Sequence, residues 1–340
     1  MKRVATILID TYNYGRFIEE AIESALNQTL SAQDLEVLVV DDGSTDDTPE
    51  RVAKYKDKIT YLRKSNGGQA SAFNAGFEAA QGEYIILLDS DDCCKRDRAA
   101  LVVEEFERHP ETAIVVNARH IKMPDREIFE QYPDCRNLRL DRTTLRTVVK
   151  CAYGTSRTAV RKSALQRILP LPDSLRIEAD LFLLALLWVG NISSINKCLT
   201  MYRVHDSNLF HSTRLDRIPL KAQCIGEAIS GIDKLLRTSA DTDRLDLIEE
   251  VLLPYKIEQR ELLFALDVES GTAERAEAVS IEKDKFKLYW HDWPLGYRIY
   301  KLMRLPLFYT LSPRQLSRLG RLYQSKNLKR FRQLVFPFDG

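Results

Sequence analysis

The sequence predicts an α/β fold in which a mostly parallel sheet is flanked by helices and followed by a helical region. Two observations predict it. Short apolar runs of strand length alternate with amphipathic helical segments over the first ninety residues, and three of these runs end in loops that carry carboxylates. Parallel strands joined by helical crossovers bring their carboxyl ends to one edge of the sheet, where ligands of such sheets bind. We therefore expect the functional site at that edge.

The first elements follow from the spacing of apolar residues. Residues 4–9 predict a strand that ends in a polar loop, Asp10-Thr11-Tyr12-Asn13-Tyr14-Gly15. Residues 36–40 predict a second strand, ended by the acidic turn Asp41-Asp42-Gly43-Ser44-Thr45-Asp46. Further elements are a helix with Ile18, Ala21, Ile22, Ala25 and Leu26 on one face, a strand at 59–62, a helix after Asn66-Gly67-Gly68 with Ala70, Phe73, Phe77 and Ala80 on one side, and a strand at 113–116.

The strand at residues 84–88 is apolar throughout and ends abruptly in Asp89-Ser90-Asp91-Asp92. A near-continuous apolar run is typical of a buried parallel strand, so Asp89 and Asp91 would stand one residue apart at its end. Mg²⁺ typically joins one or two carboxylates to substrate phosphates, which makes this pair a candidate metal site. The alternative is a solvated acidic segment before a helix that begins near Arg98, with Asp97 as its cap.

Other nucleotide-binding folds share the alternation of strands and helices but not the loops. The loop after the first strand has no glycine-rich phosphate turn, and the chain has no Walker-type Gly-Lys-Ser/Thr sequence. The phosphates of a nucleotide would then need another source of positive charge, and a metal held by Asp89 and Asp91 would supply it.

Five segments together resemble glycosyltransferase family 2, which has the GT-A fold. The resemblance covers roughly the first 210 residues, and the order and spacing of its segments make it specific. The segments are Thr11-Tyr12-Asn13, Val39-Val40-Asp41-Asp42-Gly43-Ser44-Thr45-Asp46, Asn66-Gly67-Gly68, Leu88-Asp89-Ser90-Asp91-Asp92, and the stretch from Asp180 to Met201-Tyr202-Arg203-Val204-His205.

This resemblance implies a transferase that moves a sugar from a nucleoside-diphosphate sugar, with a UDP-sugar as the expected donor. Tyr12 would lie against the base, and Asp42 would accept a hydrogen bond from the base imide. Asp89 would reach the ribose or the metal. Asp91 would ligate Mn²⁺ or Mg²⁺ on the diphosphate, and His205 would complete the metal shell. The remaining members of the implied nucleotide-sugar site are Thr11, Gln69 and Ser90.

The acceptor half of the resemblance centres on Asp180. This residue opens a stretch, 181–188, that is apolar on nearly all sides and therefore predicts a buried helix. The resemblance implies that Asp180 is the general base for the acceptor hydroxyl, and a single base implies inversion at the anomeric carbon. The family often has Glu immediately before this Asp, whereas this chain has Ala179, with Glu178 as the substitute base.

Two alternatives remain open beside a transferase that builds a surface polysaccharide or glycolipid. A nucleotide-sugar-binding protein without turnover would keep the donor site and lack a working base, and Ala179 is its only sequence support. A nucleotidyltransferase would also use paired carboxylates and a metal, but it would carry a basic phosphate-binding loop early in the chain. The expected acceptor of the transferase is a glycan or a lipid-linked glycan.

Composition separates a catalytic domain, residues 1–214, from a helical C-terminal region, residues 215–340. Amphipathic stretches with Leu245 and Leu262 predict two helices there, the first ending near Pro254. Residues 283–340 hold 13 Lys+Arg against 3 Asp+Glu, interleaved with aromatics, although the whole chain has a net charge of +1. This pattern suits an anionic membrane surface or simple packing, whereas no motif supports nucleic acid. Six cysteines without metal or redox spacing and the lack of a signal peptide predict a cytoplasmic protein, peripheral on the inner membrane face if the tail binds lipid.

Overall fold

The structure is a computed structural model that forms two compact units, residues 1–212 with 227–251, and residues 213–226 with 252–340. The basic and aromatic tail lies mostly outside the described residues. No helix in the described part of the chain has both the length and the apolarity needed to cross a bilayer. The structure describes residues 3–130, 134–151, 154–172, 175, 182–205, 208, 218–239, 245–289, 298, 301–302, 306 and 310–315.

A nine-stranded sheet in the first unit has the order β3-β2-β1-β4-β8-β6-β9-β5, with β7 paired to β6. The β3-β2-β1-β4 half is parallel, as predicted, and β6 also runs parallel to β9. The strands are β1 (Ala5–Thr11), β2 (Leu35–Asp41), β3 (Thr60–Arg63), β4 (Tyr84–Asp89), β5 (Cys93–Cys94), β6 (Thr112–Lys122), β7 (Glu127–Phe129), β8 (Thr158–Arg161) and β9 (Asn191–Arg203).

Helices cover the sheet, and the predicted helices after β1 and β3 form where the apolar spacing places them. The helices are α1 (Gly15–Leu26), α2 (Thr48–Ala53), α3 (Gln69–Ala79), α4 (Arg98–Arg108), α5 (Leu145–Cys151), α6 (Lys162–Leu165), α7 (Phe182–Val189), α8 (Ile218–Ser239), α9 (Leu247–Ser270) and α10 (Arg275–Tyr289). The first seven residues of α7 are buried, which agrees with the apolar pattern of 181–188.

Strand β8 runs antiparallel to both β4 and β6, so the sheet is mostly, but not entirely, parallel, as predicted. The prediction that a helix ends near Pro254 is wrong, because α9 continues through this residue to Ser270. Proline removes one helical hydrogen bond, to the carbonyl four residues earlier, here that of Glu250. Glu250 is exposed, so water can satisfy this carbonyl.

The core lies between the parallel strands and the helices α1 and α4. Its members are buried and almost all aliphatic, with Phe106 stacked on Tyr84 at a ring-centroid separation of 4.7 Å. On the opposite face of the sheet, Phe73 and Phe77 of α3 contact Phe182 of α7 edge to face. Burial of both faces explains why β1, β2 and β4 are continuous apolar runs.

The turn before β4 approaches the backbone of β1 so closely that only glycine fits. A Cβ on Gly82 would lie 2.4 Å from the Ala5 carbonyl carbon and 2.5 Å from the Thr6 nitrogen. The Gly82 N–H also donates to Thr6 Oγ1 at 2.9 Å, which fixes this approach.

We therefore expect Gly82→Ala to lower the free energy of unfolding by about 1–3 kcal/mol, the usual effect of overpacking a rigid site. Urea unfolding followed by circular dichroism measures the change. Gln81→Ala is the matched control, because Gln81 is exposed in the same turn and only its backbone N–H is bonded, to Glu36. Equal unfolding midpoints for the Gly82 variant and the wild type would contradict this interpretation.

Candidate functional site

The polar loops after β1, β2 and β4 meet at one edge of the sheet, as the sequence predicts. Asp10 at the end of β1 pairs in register with Asp89 at the end of β4, and on its other side with Val40 of β2. Thr11 pairs with Asp41. Carboxylates from three strands therefore lie at the same edge of the sheet.

The loop after β1 is fastened to the acidic turn after β2 by Asn13. Asn13 adopts a positive φ of 59°, and its Oδ1 accepts the Thr45 N–H at 2.7 Å. The Asn13 N–H donates to Ser44 Oγ at 2.9 Å. Tyr12, next to this anchor, remains 45% exposed. A fixed backbone thus presents a free aromatic face, which suits the stacking role predicted for Tyr12.

Asp42 is buried and holds the glycine loop before α3. Its carboxylate accepts the N–H groups of Gly67 and Gly68 and an ammonium hydrogen of Lys64, at 2.7–3.1 Å. Gly43 permits this packing, because it has a φ of 79° and a Cβ there would lie 2.8 Å from the Asn66 nitrogen. The adjacent acidic turn and the glycine loop therefore form one rigid unit.

Asp89 is held by a short 3₁₀ turn just before β8. Its Oδ2 accepts the hydroxyls of Thr155 and Ser156, each at 2.9 Å. The Asp89 backbone N–H in turn donates to Ser156 Oγ at 2.8 Å. Ser156 therefore fixes both the main chain and the side chain of Asp89. Ser90, which follows, is buried.

Asp91 and His205, which are 114 residues apart in sequence, lie in contact. His205 Nε2 is 3.0 Å from Asp91 Oδ2, and Asn208 Nδ2 donates to the same oxygen at 3.1 Å. The ring of His205 packs on Phe17, with centroids 4.6 Å apart, and near Tyr14. This packing holds the imidazole in place over the acidic edge.

The donor set fits a divalent metal that is completed by substrate oxygens. The described residues contain no preformed cluster of three His, Cys, Asp or Glu side chains suited to a metal. Mg²⁺ is usually bound through one or two carboxylates plus substrate phosphates, so a complete protein cage is not required. Asp91 supplies a carboxylate and His205 an imidazole, which is a weaker ligand for Mg²⁺ than for later divalent ions.

Asp92 is fully buried behind this pair. Its Oδ1 accepts the Arg203 N–H at 2.9 Å. Burial, and then the neighbouring carboxylates of Asp91 and Asp89, raise the pKa of Asp92 well above the usual range. Tyr202, whose phenol also has a raised pKa from burial and from Asp92, lies nearby. The raised pKa values thus reflect burial and the crowding of carboxylates at the site.

Asp10 is a second carboxylate of this kind. It is partly exposed, but protein surrounds most of it, and this desolvation, followed by the charge of Asp89, raises its pKa well above the usual range. Gln69 Nε2 donates to Asp10 Oδ2 at 3.1 Å. Gln69, predicted to contact the nucleotide sugar, therefore contacts Asp10.

Two arginines lie under the acidic edge. Arg119 forms two hydrogen bonds with Glu130, at 2.7 and 2.9 Å, and its guanidinium lies 4.7 Å from the Tyr202 ring centroid. Arg157 is buried, 3.5 Å from the same Glu130 carboxylate. This cluster of ion pairs thus packs beside Tyr202, under the site.

Most of the predicted site residues lie at this edge, but their roles in binding stay predictions. Asp180 and its substitute Glu178 lie outside the described residues. Asp10 was not predicted as a site residue, although it ends a predicted strand. The contacts of Thr155, Ser156 and Asn208 with the acidic edge were not predicted either, because their partners are distant in sequence.

Comparison with known proteins agrees with this geometry. The model of the family described as Glycosyl transferase family 2 matches residues 6–169. An uncharacterized glycosyltransferase of Nostoc sp. is 33% identical over 215 residues, 60% of this chain and 65% of that protein. Chondroitin synthase of Pasteurella multocida is 39% identical over 125 residues, 36% of this chain and 13% of the synthase. The chain thus spans less than two thirds of these relatives.

Solved structures show the same fold at low identity. S. aureus TarS 1-349 in complex with UDP gives a TM-score of 0.53 at 16% identity, covering 84% of this chain and 88% of that one. The mannosyltransferase PcManGT from Pyrobaculum calidifontis, in complex with GDP-Man and Mn²⁺, gives 0.54 at 18% identity, covering 89% and 84%. Residues 6–169 thus match glycosyltransferase family 2, and the chain has the GT-A fold.

The raised pKa of Asp10 predicts how pH affects the stability of the metal-free protein. A carboxyl with a raised folded-state pKa stabilises the fold below its unfolded pKa, and this contribution is lost as pH rises through the folded pKa. Asp10→Asn removes the titration, so the melting temperature of the variant minus that of the wild type should increase from pH 5 to pH 8.

Differential scanning calorimetry in the presence of chelator measures this difference. Asp57→Asn is the control, because Asp57 is exposed and distant from the carboxylates of the edge in the sheet order. A melting-temperature difference for Asp10→Asn that is constant across this range would show that Asp10 does not titrate as its surroundings indicate.

Proposed function

We propose that this chain is a member of glycosyltransferase family 2 that transfers a sugar from a UDP-sugar to a hydroxyl of a glycan or lipid-linked acceptor, with Mn²⁺ or Mg²⁺ and with inversion. The observation that carries the proposal is the contact of Asp91 with His205 beside Asp89, at the sheet edge where Tyr12 is exposed. One edge thus combines an aromatic face for a base with carboxylates for a metal-bound diphosphate.

The donor half of the proposal rests on Tyr12 and Asp42. A base stacked on Tyr12 would replace the water on its exposed face, while the Asn13 anchor keeps the loop from moving. An ionised carboxylate has about four acceptor sites. Asp42 already accepts three donors, and one of them, the Gly67 N–H, is shared by both carboxylate oxygens. The single N3–H of uracil matches this limited capacity better than the two donors on the corresponding edge of guanine.

A divalent ion would act as a Lewis acid on the charge that develops on the diphosphate leaving group. Asp91 and His205 would hold it, and the fully buried Asp92 lies behind them. Asn208 donates to Asp91, which orients the carboxylate. PcManGT is solved with Mn²⁺, and we extend divalent metal use to this chain.

The acceptor half of the proposal rests on Asp180, which precedes α7 by two residues in the sequence. Its carboxylate would take the proton of the attacking hydroxyl, and attack opposite the leaving group would invert the anomeric carbon. The name of the chondroitin synthase indicates that this relative builds a polysaccharide. We extend that role to this chain as synthesis of a surface polysaccharide or glycolipid.

A panel of UDP-sugars screened by thermal shift, with Mn²⁺ and with chelator, tests the function directly. A donor that binds the folded state raises the melting temperature, and the rise grows with the ratio of donor concentration to dissociation constant. We expect a metal-dependent rise with one or a few UDP-sugars and with UDP. A protein that no UDP-sugar or UDP stabilises would not fit the proposal.

The metal assignment predicts that Asp91→Asn abolishes the Mn²⁺-dependent part of UDP binding while the fold is retained, because a neutral amide is a much poorer ligand for a divalent ion. Isothermal titration calorimetry with UDP, with and without Mn²⁺, measures this. Asp97→Asn is the control, because Asp97 lies six residues later and pairs with Lys197. Unchanged UDP affinity in Asp91→Asn would remove Asp91 from the site.

The base assignment predicts that Asp180→Asn keeps UDP affinity but lowers transfer by about a hundredfold or more, the usual contribution of general acid–base catalysis. The measurement is UDP release with the donor found by thermal shift and a glycan acceptor. Glu178→Gln is the matched control and should retain turnover. Loss of turnover in the Glu178 variant alone would move the base to that residue.

A further inference from the structure

A buried cation, Arg98, lies beneath the acidic edge without a carboxylate beside it. It is 0% exposed, and no carboxylate of the described residues lies within ion-pair distance. Its three contacts are Asn117 Oδ1 at 3.1 Å, Cys94 Sγ at 3.2 Å and the Thr158 carbonyl at 3.3 Å. Burying a charge without an opposite charge is costly. Packing alone therefore does not explain why a charged guanidinium occupies this position.

Arg98 sets the direction of a chain of hydrogen bonds. Its Nε–H donates to Asn117 Oδ1, so the amide nitrogen of Asn117 must point the other way. That Nδ2 donates to Thr200 Oγ1 at 3.0 Å. The Thr200 hydroxyl, once it accepts this bond, directs its own hydrogen to the Ser156 carbonyl at 2.8 Å. Every donor in the chain points away from the cation, because guanidinium nitrogens only donate.

The chain of hydrogen bonds ends on Ser156, the residue that fixes Asp89. Ser156 Oγ accepts the Asp89 N–H and donates to Asp89 Oδ2. The links come from α4, β6, β9 and the 3₁₀ turn, and the side chains of Arg98, Asn117 and Thr200 are 0% exposed. Water therefore does not compete for these bonds, and a low local dielectric strengthens them.

We infer that Arg98, Asn117 and Thr200 are positioning residues for Asp89. They hold the 3₁₀ turn so that Ser156 aims the Asp89 carboxylate at the donor and its metal. This inference rests on the proposed function, in which Asp89 contacts the ribose or the metal. None of the three touches the substrate, and each acts through Ser156.

A double-mutant cycle on Thr200 and Asp89 tests this inference, with the dissociation constant of UDP in Mn²⁺ as the readout. Thr200→Val keeps the shape of the side chain and removes the hydroxyl. We expect it to weaken UDP binding about three- to tenfold, the effect of one hydrogen bond. The same substitution in the Asp89→Asn background should weaken binding no further, because residues in one network are not additive.

Thr112→Val is the matched control. Thr112 is a fully buried threonine on β6, and its hydroxyl lies near Asn137 and Ser193, outside the chain that reaches Asp89. It should leave the UDP dissociation constant unchanged. A purely structural effect of losing a buried hydroxyl would appear equally in both threonine variants. Thr200→Ser keeps the hydroxyl and should bind UDP as the wild type does.

Asn117→Asp gives a second route if Thr200→Val does not fold. It places a carboxylate beside Arg98, which favours folding, and removes the donor to Thr200. The new carboxylate would also draw the Thr200 hydroxyl hydrogen away from Ser156. We expect weaker UDP binding in this variant too, again coupled to Asp89.

The outcomes separate this inference from the proposed function. If Asp89→Asn weakens UDP binding but Thr200→Val and Asn117→Asp do not, or if their effects persist undiminished in the Asp89→Asn background, the positioning role is wrong and the donor site stands. If Asp89→Asn itself leaves UDP binding unchanged, the assigned role of Asp89 fails and the inference fails with it.

Discussion

The crowding of carboxylates at one edge of the sheet is the constraint on which the rest of the site depends. Parallel pairing in register puts Asp10 beside Asp89, and the next residues add Asp91 and Asp92. Like charges this close raise one another's pKa, and burial adds to the effect. The fold tolerates them because most accept hydrogen bonds from neutral donors. A divalent cation at this edge would relieve the repulsion between the carboxylates, which favours its binding.

The two halves of the sheet contribute different groups to the site. The parallel half provides the strand ends that carry the carboxylates, because right-handed crossovers place all these ends together. The antiparallel strand β8 and its neighbours β6 and β9 provide the groups that orient them. Ser156, before β8, fixes Asp89, and Arg203, at the end of β9, binds Asp92 through its backbone. Neither half makes the site alone.

This division explains which features the sequence predicts. Apolar runs that end in carboxylates are local signals, so the parallel strands and the Asp89–Asp92 segment follow from the sequence alone. The partners of these carboxylates are distant, with 67 residues between Ser156 and Asp89 and 114 between His205 and Asp91. No local periodicity encodes such pairs. His205 was identified only through the family resemblance, and the contact of Ser156 with Asp89 was not predicted.

The helical region shows the same limit from the other side. A proline predicts a helix end because it lacks one donor, yet α9 passes through Pro254. Whether a helix ends there depends on whether the freed carbonyl can reach water, and burial is a property of the fold rather than of a short segment. Local rules are therefore reliable where the partner is close in sequence.

The raised pKa values of Asp10 and Asp92 connect stability with function. A carboxyl whose pKa is raised on folding is worth less to the folded state at neutral pH than at low pH, so the acidic edge weakens the metal-free protein. A ligand that binds only the folded state stabilises it more as its concentration rises relative to its dissociation constant, and positive charge at this edge would reduce the repulsion. The free energy lost to crowding in the metal-free state is then recovered on binding. A network such as that of Arg98 is valuable in this setting, because repelling carboxylates move apart unless their positions are fixed from behind.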